Sequence, residues 1–311
     1  MNRREIRHRL TAALLQADGP LALADLAERA EMTRTQTAAA LRELVRDGQV
    51  VEVDLLGGEP GPQYRWAARW ADQSRKVAQA SREQLRQIVP SEEILPAKLL
   101  TIACPPVETF CRYIIDEYTP PKDKRLLVLL QCSVRRPFSE SPSHGSMRRA
   151  ISVSTGFDPA RDFGACPVHV VVLASRIGPV PYELEDVYPA NVRGGGVKHF
   201  RPEHYGEVLP VLAVRMAQYI TKHRRCYRHT AAFADGRYAE VLREAQAIAG
   251  ATFPIFPDKG GERIVTKDGR PPRTYWGKFW IQLYREIVSW LPPKTREEAK
   301  LRLDKLEVVC G

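Results

Sequence analysis

The chain has 311 residues, 44% of them apolar and 27% charged, enough to bury a sizeable core, which excludes wholesale disorder. Lysine and arginine exceed aspartate and glutamate by ten, spread along the chain instead of gathered in one tail, which favours a polyanionic partner, nucleic acid above all. No apolar run approaches membrane-spanning length, no signal-peptide core follows the basic MNRREIRHRL, and the six cysteines form no C-x-x-C pair or zinc spacing, so the expectation is a reducing, cytoplasmic location with no membrane, metal or cofactor.

In chain order, residues 1–68 read as a winged helix-turn-helix domain. "REIRHRLTAALLQADG" has helical apolar spacing as far as Gly19, "LALADLAERA" is a second, shorter amphipathic helix, and "TRTQTAAALRELVRDGQ" is a third, N-capped by Thr33 and closed by Gly48. "VVEVDLL" then alternates like a strand, "GGEPGP" is a turn and "QYRWA" is a second strand, and three helices followed by a hairpin is the winged-helix order. Such a unit presents its third helix to a major groove. Arg34, Thr35 and Gln36 at its start are of types that touch phosphates or base edges, Tyr64 and Arg65 sit on the wing, and Ala38, Ala39, Leu41 and Leu44 are available for the core. Winged helices also serve as protein-docking modules, and that alternative stays open.

Residues 69–98 are polar and helix-prone, a linker whose helix ends at Pro90. Over residues 99–256 short apolar runs such as "RLLVLLQ" and "VHVVVLA" alternate with helical stretches, the rhythm of an α/β domain with a parallel or mixed sheet covered on both faces. Residues 257–311 form a helical extension with an aromatic-rich amphipathic helix, either packed on a core or offered as a stacking platform for bases.

One stretch of the α/β region stands out chemically. Ligands of open α/β sheets bind at the carboxyl ends of strands, and Cys132 directly follows the strand "RLLVLLQ". Ser133, Arg135, Arg136, Ser139, Ser141, Ser143 and His144 then bring hydroxyls, guanidinium groups and an imidazole within twelve residues. A cationic neighbourhood favours a thiolate, so Cys132 is a candidate nucleophile with His144 as its base or acid; a lone cysteine after a strand is also a common packing residue. A second strand, "VHVVVLA", runs into Ser175 and "RIGPVPYELEDVYPA", read as a loop shaped by Gly178, Pro179 and Pro181 and charged by Glu183, Glu185 and Asp186. Two such loops should share one crevice, where the carboxylates would orient a cationic amine or balance the arginine pair.

The segment "CSVRRPFSESPSH" resembles the signature of the archaeosine synthases: a cysteine, a basic residue with proline and an aromatic, then serine and histidine, here Cys132, Arg136, Pro137, Phe138, Ser141 and His144. "YTPPKDKRLLVLL" and "IGPVPYELEDVYPA" resemble the same catalytic core, over roughly residues 110–250. The resemblance implies a three-layer α/β/α core related to the uracil-DNA glycosylases. It also implies an amidine-forming transferase that adds an amine, lysine in the family, across the nitrile of 7-cyano-7-deazaguanine held in tRNA. On that footing Cys132 either adds to the nitrile or shapes the pocket, His144 moves protons, and Ser141 bonds the base or the imidate nitrogen. Ser133, Arg136, Phe138 and Ser175 line the substrate, and Glu183 or Glu185 holds the incoming ammonium. The chain departs from the family in carrying Gln131 for proline, Arg136 for lysine, Phe138 for tyrosine and "NVRGGGVKHF" where the family resembles His-Tyr-Asp followed by Val-Thr-Gly.

The expectation is therefore a base-modifying enzyme acting on tRNA or DNA. The alternative is a winged-helix DNA-binding regulator whose α/β domain senses a modified base or nucleotide without turnover. A base-excising glycosylase is less favoured, because no water-activating Asp or Asn motif stands at the first strand end.

Overall fold

The computed structural model of the chain describes residues 2–17, 21–46, 49–53, 63–89, 94–95, 100–260, 264–266, 279–306 and 308–310. The turn at 57–62 and the helix ends assigned to Gly19, Gly48 and Pro90 lie outside the described residues. Contacts divide the chain once, into Met1–Lys76 and Val77–Gly311, where the sequence reading sets boundaries at 68, 98 and 256.

The first unit runs α1 (Arg3–Gln16), β1 (Leu21–Ala22), α2 (Leu23–Arg29), α3 (Arg34–Arg46), β2 (Val50–Val53) and β3 (Gln63–Trp66). β3 pairs antiparallel with both β1 and β2. The stretch expected to be wholly helical from Leu21 therefore starts as a strand, since Leu21 and Ala22 register with Tyr64 and Gln63. α3 opens with a capping box: the Gln36 backbone N–H donates to Thr33 Oγ1 at 3.3 Å and the Thr33 N–H donates to Gln36 Oε1 at 3.1 Å. Leu41 and Leu44 set the inward face of this helix, and the residues one turn earlier on that face are Thr37 and Ala40, so Ala39 is exposed and Ala38 only half-buried. Leu10, Leu14 and Leu26 complete the core of this unit.

The helix α4 (Ala67–Ile88) spans the division, and the second unit buries Ala78, Ser81 and Leu85 from its later turns. There follow α5 (Pro105–Arg112), which continues as a π-turn over Tyr113–Glu117, then β4 (Leu126–Gln131), α6 (Pro142–Thr155), β5 (Val168–Ala174) and β6 (Gly178–Pro181). The chain continues through α7 (Pro202–His223), β7 (His229–Phe233), α8 (Arg237–Ala249) and β8 (Ile255–Phe256). It ends in β9 (Ile264–Thr266), α9 (Trp280–Trp290), α10 (Pro293–Asp304) and β10 (Val308–Cys310), which pairs with β9.

The fold is α/β. Its sheet has the order β6-β5-β4-β7-β8, parallel except for the edge strand β6, which returns antiparallel to β5. Every residue of β4 and β5 is buried, the expected outcome for runs of leucine and valine that are apolar on both faces. The chain places β5 on one side of β4 and then crosses to place β7 on the other. That reversal falls at β4, and a crevice opens at the carboxyl edge of the sheet from the segments that follow β4 and β5.

The aromatic helix α9 belongs to the core and is not a stacking platform: Trp280, Ile281, Leu283, Tyr284 and Ile287 are buried. α10 is tied to α6 by Arg302, whose Nε and Nη2 each donate at 2.9 Å to the carbonyls of Val153 and Ser154, just before Gly156 ends α6 with φ +85°. We expect Arg302→Ala to destabilise this unit by about 2 kcal/mol, because two charge-assisted bonds to unsatisfied helix carbonyls go at once. A chemical denaturation curve followed by tryptophan fluorescence checks it; an unmoved midpoint would mean that α10 holds without this clamp.

Candidate active site at the carboxyl edge of the sheet

Cys132 leaves the end of β4 into this crevice with 6% of its surface exposed. Its Sγ lies 3.8 Å from Arg136 Nη2, placed there because the guanidinium is gripped by the chain itself: Nε donates to the Ala190 carbonyl at 2.8 Å and Nη1 to the carbonyls of Ser133 and Arg135. Phe138, fully buried, lies under the same guanidinium with its ring centre 3.8 Å from the central carbon. Phe138 is thus a platform for Arg136.

From β5, Ser175 enters the same crevice, accepting the Val197 N–H at 3.1 Å and sharing a 2.8 Å bond with the Tyr238 hydroxyl. Tyr238 stands in the first turn of α8 beyond β7, and the Cys132 thiol itself donates to the Ser133 carbonyl at 3.3 Å. Its phenol resists ionisation, first because it is buried and then because the cysteine is beside it. Gly196 lets the backbone close over this hydroxyl, since a Cβ there would lie 2.5 Å from it. Gly194 does the same over Arg176, whose guanidinium a Cβ would meet at 2.8 Å. Burial and the adjacent Arg136 both work against the charge on Arg176. Arg136, Ser175, Arg176 and the glycine segment line a cavity of about 20 Å³, room for one water and too small for a base.

The other nominated residues go elsewhere. His144 is fully buried; its Nε2 lies 2.9 Å from the Gln131 carbonyl and must donate to it, so Nδ1 accepts from the Tyr182 hydroxyl at 2.6 Å. Burial takes its pKa down to about 3, so it is neutral with both nitrogens engaged. Ser141 caps α6, its Oγ accepting the His144 N–H at 3.3 Å, and the Ser133 hydroxyl turns to the Arg135 carbonyl.

Glu185 accepts from the Ser139 N–H and hydroxyl at 2.9 and 2.5 Å. Glu183 accepts from Tyr118 at 2.5 Å and lies 3.1 Å from His169 Nε2. His169 registers with Leu127, five residues before Cys132 and so about 16 Å back along an extended strand. Burial alone would raise the Glu183 carboxyl, but attraction to His169 and the bonds from His169 and Tyr118 bring it below its ordinary value.

In the first unit, Arg34 and Thr35 are exposed at the start of α3, Gln36 is half-exposed with its carbonyl engaged in the capping box, and Tyr64 is half-buried; the side chain of Arg65 lies outside the described residues. Among the described residues no group of three metal-ligating side chains converges, and no helix is long and apolar enough to cross a membrane. Tyr238 was not singled out by the sequence, because it sits in no motif, and Arg176, which opens the loop after Ser175, was passed over for the carboxylates that follow it.

A family described as a domain of unknown function, DUF5591, matches residues 107–260, the segment that carries this crevice. The archaeosine synthase α subunit of Thermococcus kodakarensis is 29% identical over 163 residues, 51% of this chain and 25% of its own length. That of Methanosarcina acetivorans is 34% identical over 136 residues, 43% of this chain and 19% of its own. The α/β core of this chain is thus similar to the archaeosine synthases. Archaeosine synthase of Haloferax volcanii agrees, at 29% identity over 168 residues, 54% of this chain and 26% of its own. The chain thus aligns with about a quarter or less of these curated relatives. Among solved structures, that of AF0587, a protein of unknown function, is 18% identical over 64% of this chain and 49% of its own, with a TM-score of 0.34.

Within this core, the buried histidines set the acid limit. The unfolded chain protonates near pH 6.5, whereas the folded chain protonates His144 near 3 and His223, also lowered mainly by burial, near 4. Stability is therefore full above pH 6.5 and is lost as the pH falls toward those folded values. We expect about 1 kcal/mol lost per histidine between pH 7.5 and 5.5, read as a falling denaturation midpoint, with a shallower slope in His144→Asn. Equal slopes in both proteins would mean that His144 already carries its proton when folded.

Proposed function

We propose that this chain is a tRNA base-modifying enzyme of the archaeosine synthase type, in which Cys132 adds to the nitrile of 7-cyano-7-deazaguanine and an amine then displaces it. The observation that carries the reading is the placement of a thiol at the strand-order reversal with a guanidinium 3.8 Å from its sulfur. The sulfur would form a thioimidate with the nitrile carbon; the amine nitrogen, lysine's in the family, would then attack that carbon, expel the thiolate and leave an amidine. Arg136 stands beside the sulfur, while Cys111 and Cys166, pushed up to about 11 mainly by burial, stay inert.

His144 serves by position in this reading, holding the end of β4, and Ser141 by capping the helix that carries His144. Glu183 and Glu185 hold the fold and leave the ammonium to other groups. We take the core as a three-layer α/β/α domain of the uracil-DNA glycosylase kind and residues 1–68 as a winged helix that brings the nucleic acid, with Arg34, Thr35, Tyr64 and Arg65 toward the polymer. The cavity holds only one water as it stands, so a base would enter as the Gly194–Gly196 segment draws back, and an unpaired base would avoid the cost of flipping, about a few kcal/mol.

The test is nucleoside mass spectrometry after incubation with tRNA or DNA carrying 7-cyano-7-deazaguanine and with lysine, glutamine or ammonia. An amidine-linked nucleoside should form on tRNA and fall at least about a thousandfold in Cys132→Ala. The closed cavity also suits a second reading, a regulator that senses the modified base without turnover. It would bind the same polymers, form no product and tolerate Cys132→Ser.

A further inference from the structure

The proposed chemistry needs a second substrate, and the one-water cavity at Cys132 has no room for it. On the far side of β4 the same edge of the sheet opens into a cavity of about 440 Å³. Asp235, Asp258 and Lys259 line it from the segments that follow β7 and β8, and Glu240 and Arg243 from the first two turns of α8. We propose that this cavity is the donor site: it holds the α-amino-acid head of a basic amino acid and directs the side-chain amine toward Cys132. The assignment rests on the reading of Cys132 as the centre of the chemistry.

The charges select the ligand. Asp235 Oδ1 accepts from the Lys259 ammonium at 2.9 Å and from the Gly236 N–H at 2.7 Å, so this pair is satisfied within the fold. Two carboxylates and one guanidinium remain among the lining residues. Glu240 Oε2 takes the Tyr205 hydroxyl at 2.6 Å and Asp258 Oδ1 takes the Gly260 N–H at 3.1 Å; these are neutral donors that leave each carboxylate its charge. Arg243 is exposed and has no hydrogen-bond or ion-pair partner among the described residues. An α-carboxylate on Arg243 and an α-ammonium between Asp258 and Glu240 complete the set. One negative charge is left in excess, which favours a ligand of net positive charge, a diamino acid over a neutral amino acid.

Size and reach agree. The volume lies within the range of small-molecule sites, about 300–1,000 Å³. Ala234, Ala239, Ile255 and Pro257 supply an apolar wall for a methylene stem. The Asp235 N–H donates to Gln131 Oε1 at 2.9 Å, and Cys132 is the next residue. β7 pairs directly with β4, and neighbouring strands stand about 4.8 Å apart, a step that an amine on a four-carbon stem can span. Beyond that step the amine meets Arg136 and Arg176, whose charge favours its free base, while the head stays among the carboxylates. Glu183 and Glu185, which the sequence offered for the ammonium, are committed to Tyr118, His169 and Ser139.

Saturation-transfer NMR on the full chain, without nucleic acid, tests the site. L-Lysine should bind saturably, and n-butylamine, which lacks the head, at least about tenfold more weakly. Arg243→Ala and Asp258→Asn should each weaken L-lysine by about tenfold or more; both side chains are exposed, so melting temperatures should hold. No saturable L-lysine binding, or wild-type affinity in both variants, overturns the proposal.

The nucleoside assay on tRNA carrying 7-cyano-7-deazaguanine supplies the second arm. Both variants should cut the preference for lysine over ammonia, which has no head to hold, by about tenfold, mainly through the KM for lysine. An equal loss with both donors overturns the donor role. Lysine binding that the variants abolish, with no product from the wild type, sinks the reading of Cys132 and the donor role together and leaves an amino-acid site. Product from the wild type, with lysine binding unaltered in the variants, overturns the site alone.

Discussion

The site depends on Gln131, the last residue of β4, which is held from two directions. Its backbone carbonyl takes the Nε2 proton of His144 from α6 at 2.9 Å, and its side-chain carbonyl takes the Asp235 N–H beyond β7 at 2.9 Å. One residue thus ties the end of β4 to a helix and to the neighbouring strand end, and Cys132 is the next residue along. The first bond is buried, where an unmade bond would cost about 1–3 kcal/mol, and the second is part-buried, so the strand end has little freedom to drift. The neutrality of His144 is part of the same constraint, because only a ring with a proton on Nε2 and a lone pair on Nδ1 satisfies Gln131 and Tyr182 together.

The strands were legible because β4 and β5 are apolar at every position, and Cys132 was legible as a site because a residue following a parallel strand stands at the ligand edge whatever the rest of the fold does. The stretch after Ser175 was not. Gly178, Pro179 and Pro181 look like loop residues, yet they build β6, which tolerates proline because it is the edge of the sheet and needs its N–H groups on one side only. That return carries Glu183 away from the cysteine to the level of His169, so the two loops expected to share a crevice share it only through Ser175, Arg176 and the later 189–197 segment.

Composition also misleads at Ser141 and His144. A serine before proline is a helix start in its own right, and the histidine three residues on lies in the first turn of that helix. The spacing that looks like a nucleophile's retinue is thus also the spacing of a capped helix packed on the strand end. Tyr238 is the converse case: nothing around it in "GRYAEVLREAQ" signals chemistry, and its place beside Cys132 follows from the crossover that sets β7 against β4.

The electrostatics of the crevice bear on how an amine could react there. Arg136 and Arg176 line it, and the nearby Glu183 and Glu185 are held by Tyr118, His169 and Ser139. Positive charge favours the thiolate and draws in an electron-rich base, but it also disfavours an ammonium ion. A cationic amine approaching the thioimidate is thereby pushed toward its free base, the only form with a lone pair to attack carbon. A carboxylate placed to hold the ammonium would bind it more tightly and keep it unreactive. On the proposed chemistry, a crevice lined by arginines suits the displacement better than the acidic pocket that the sequence suggests, because positive charge there disfavours the ammonium form of the displacer.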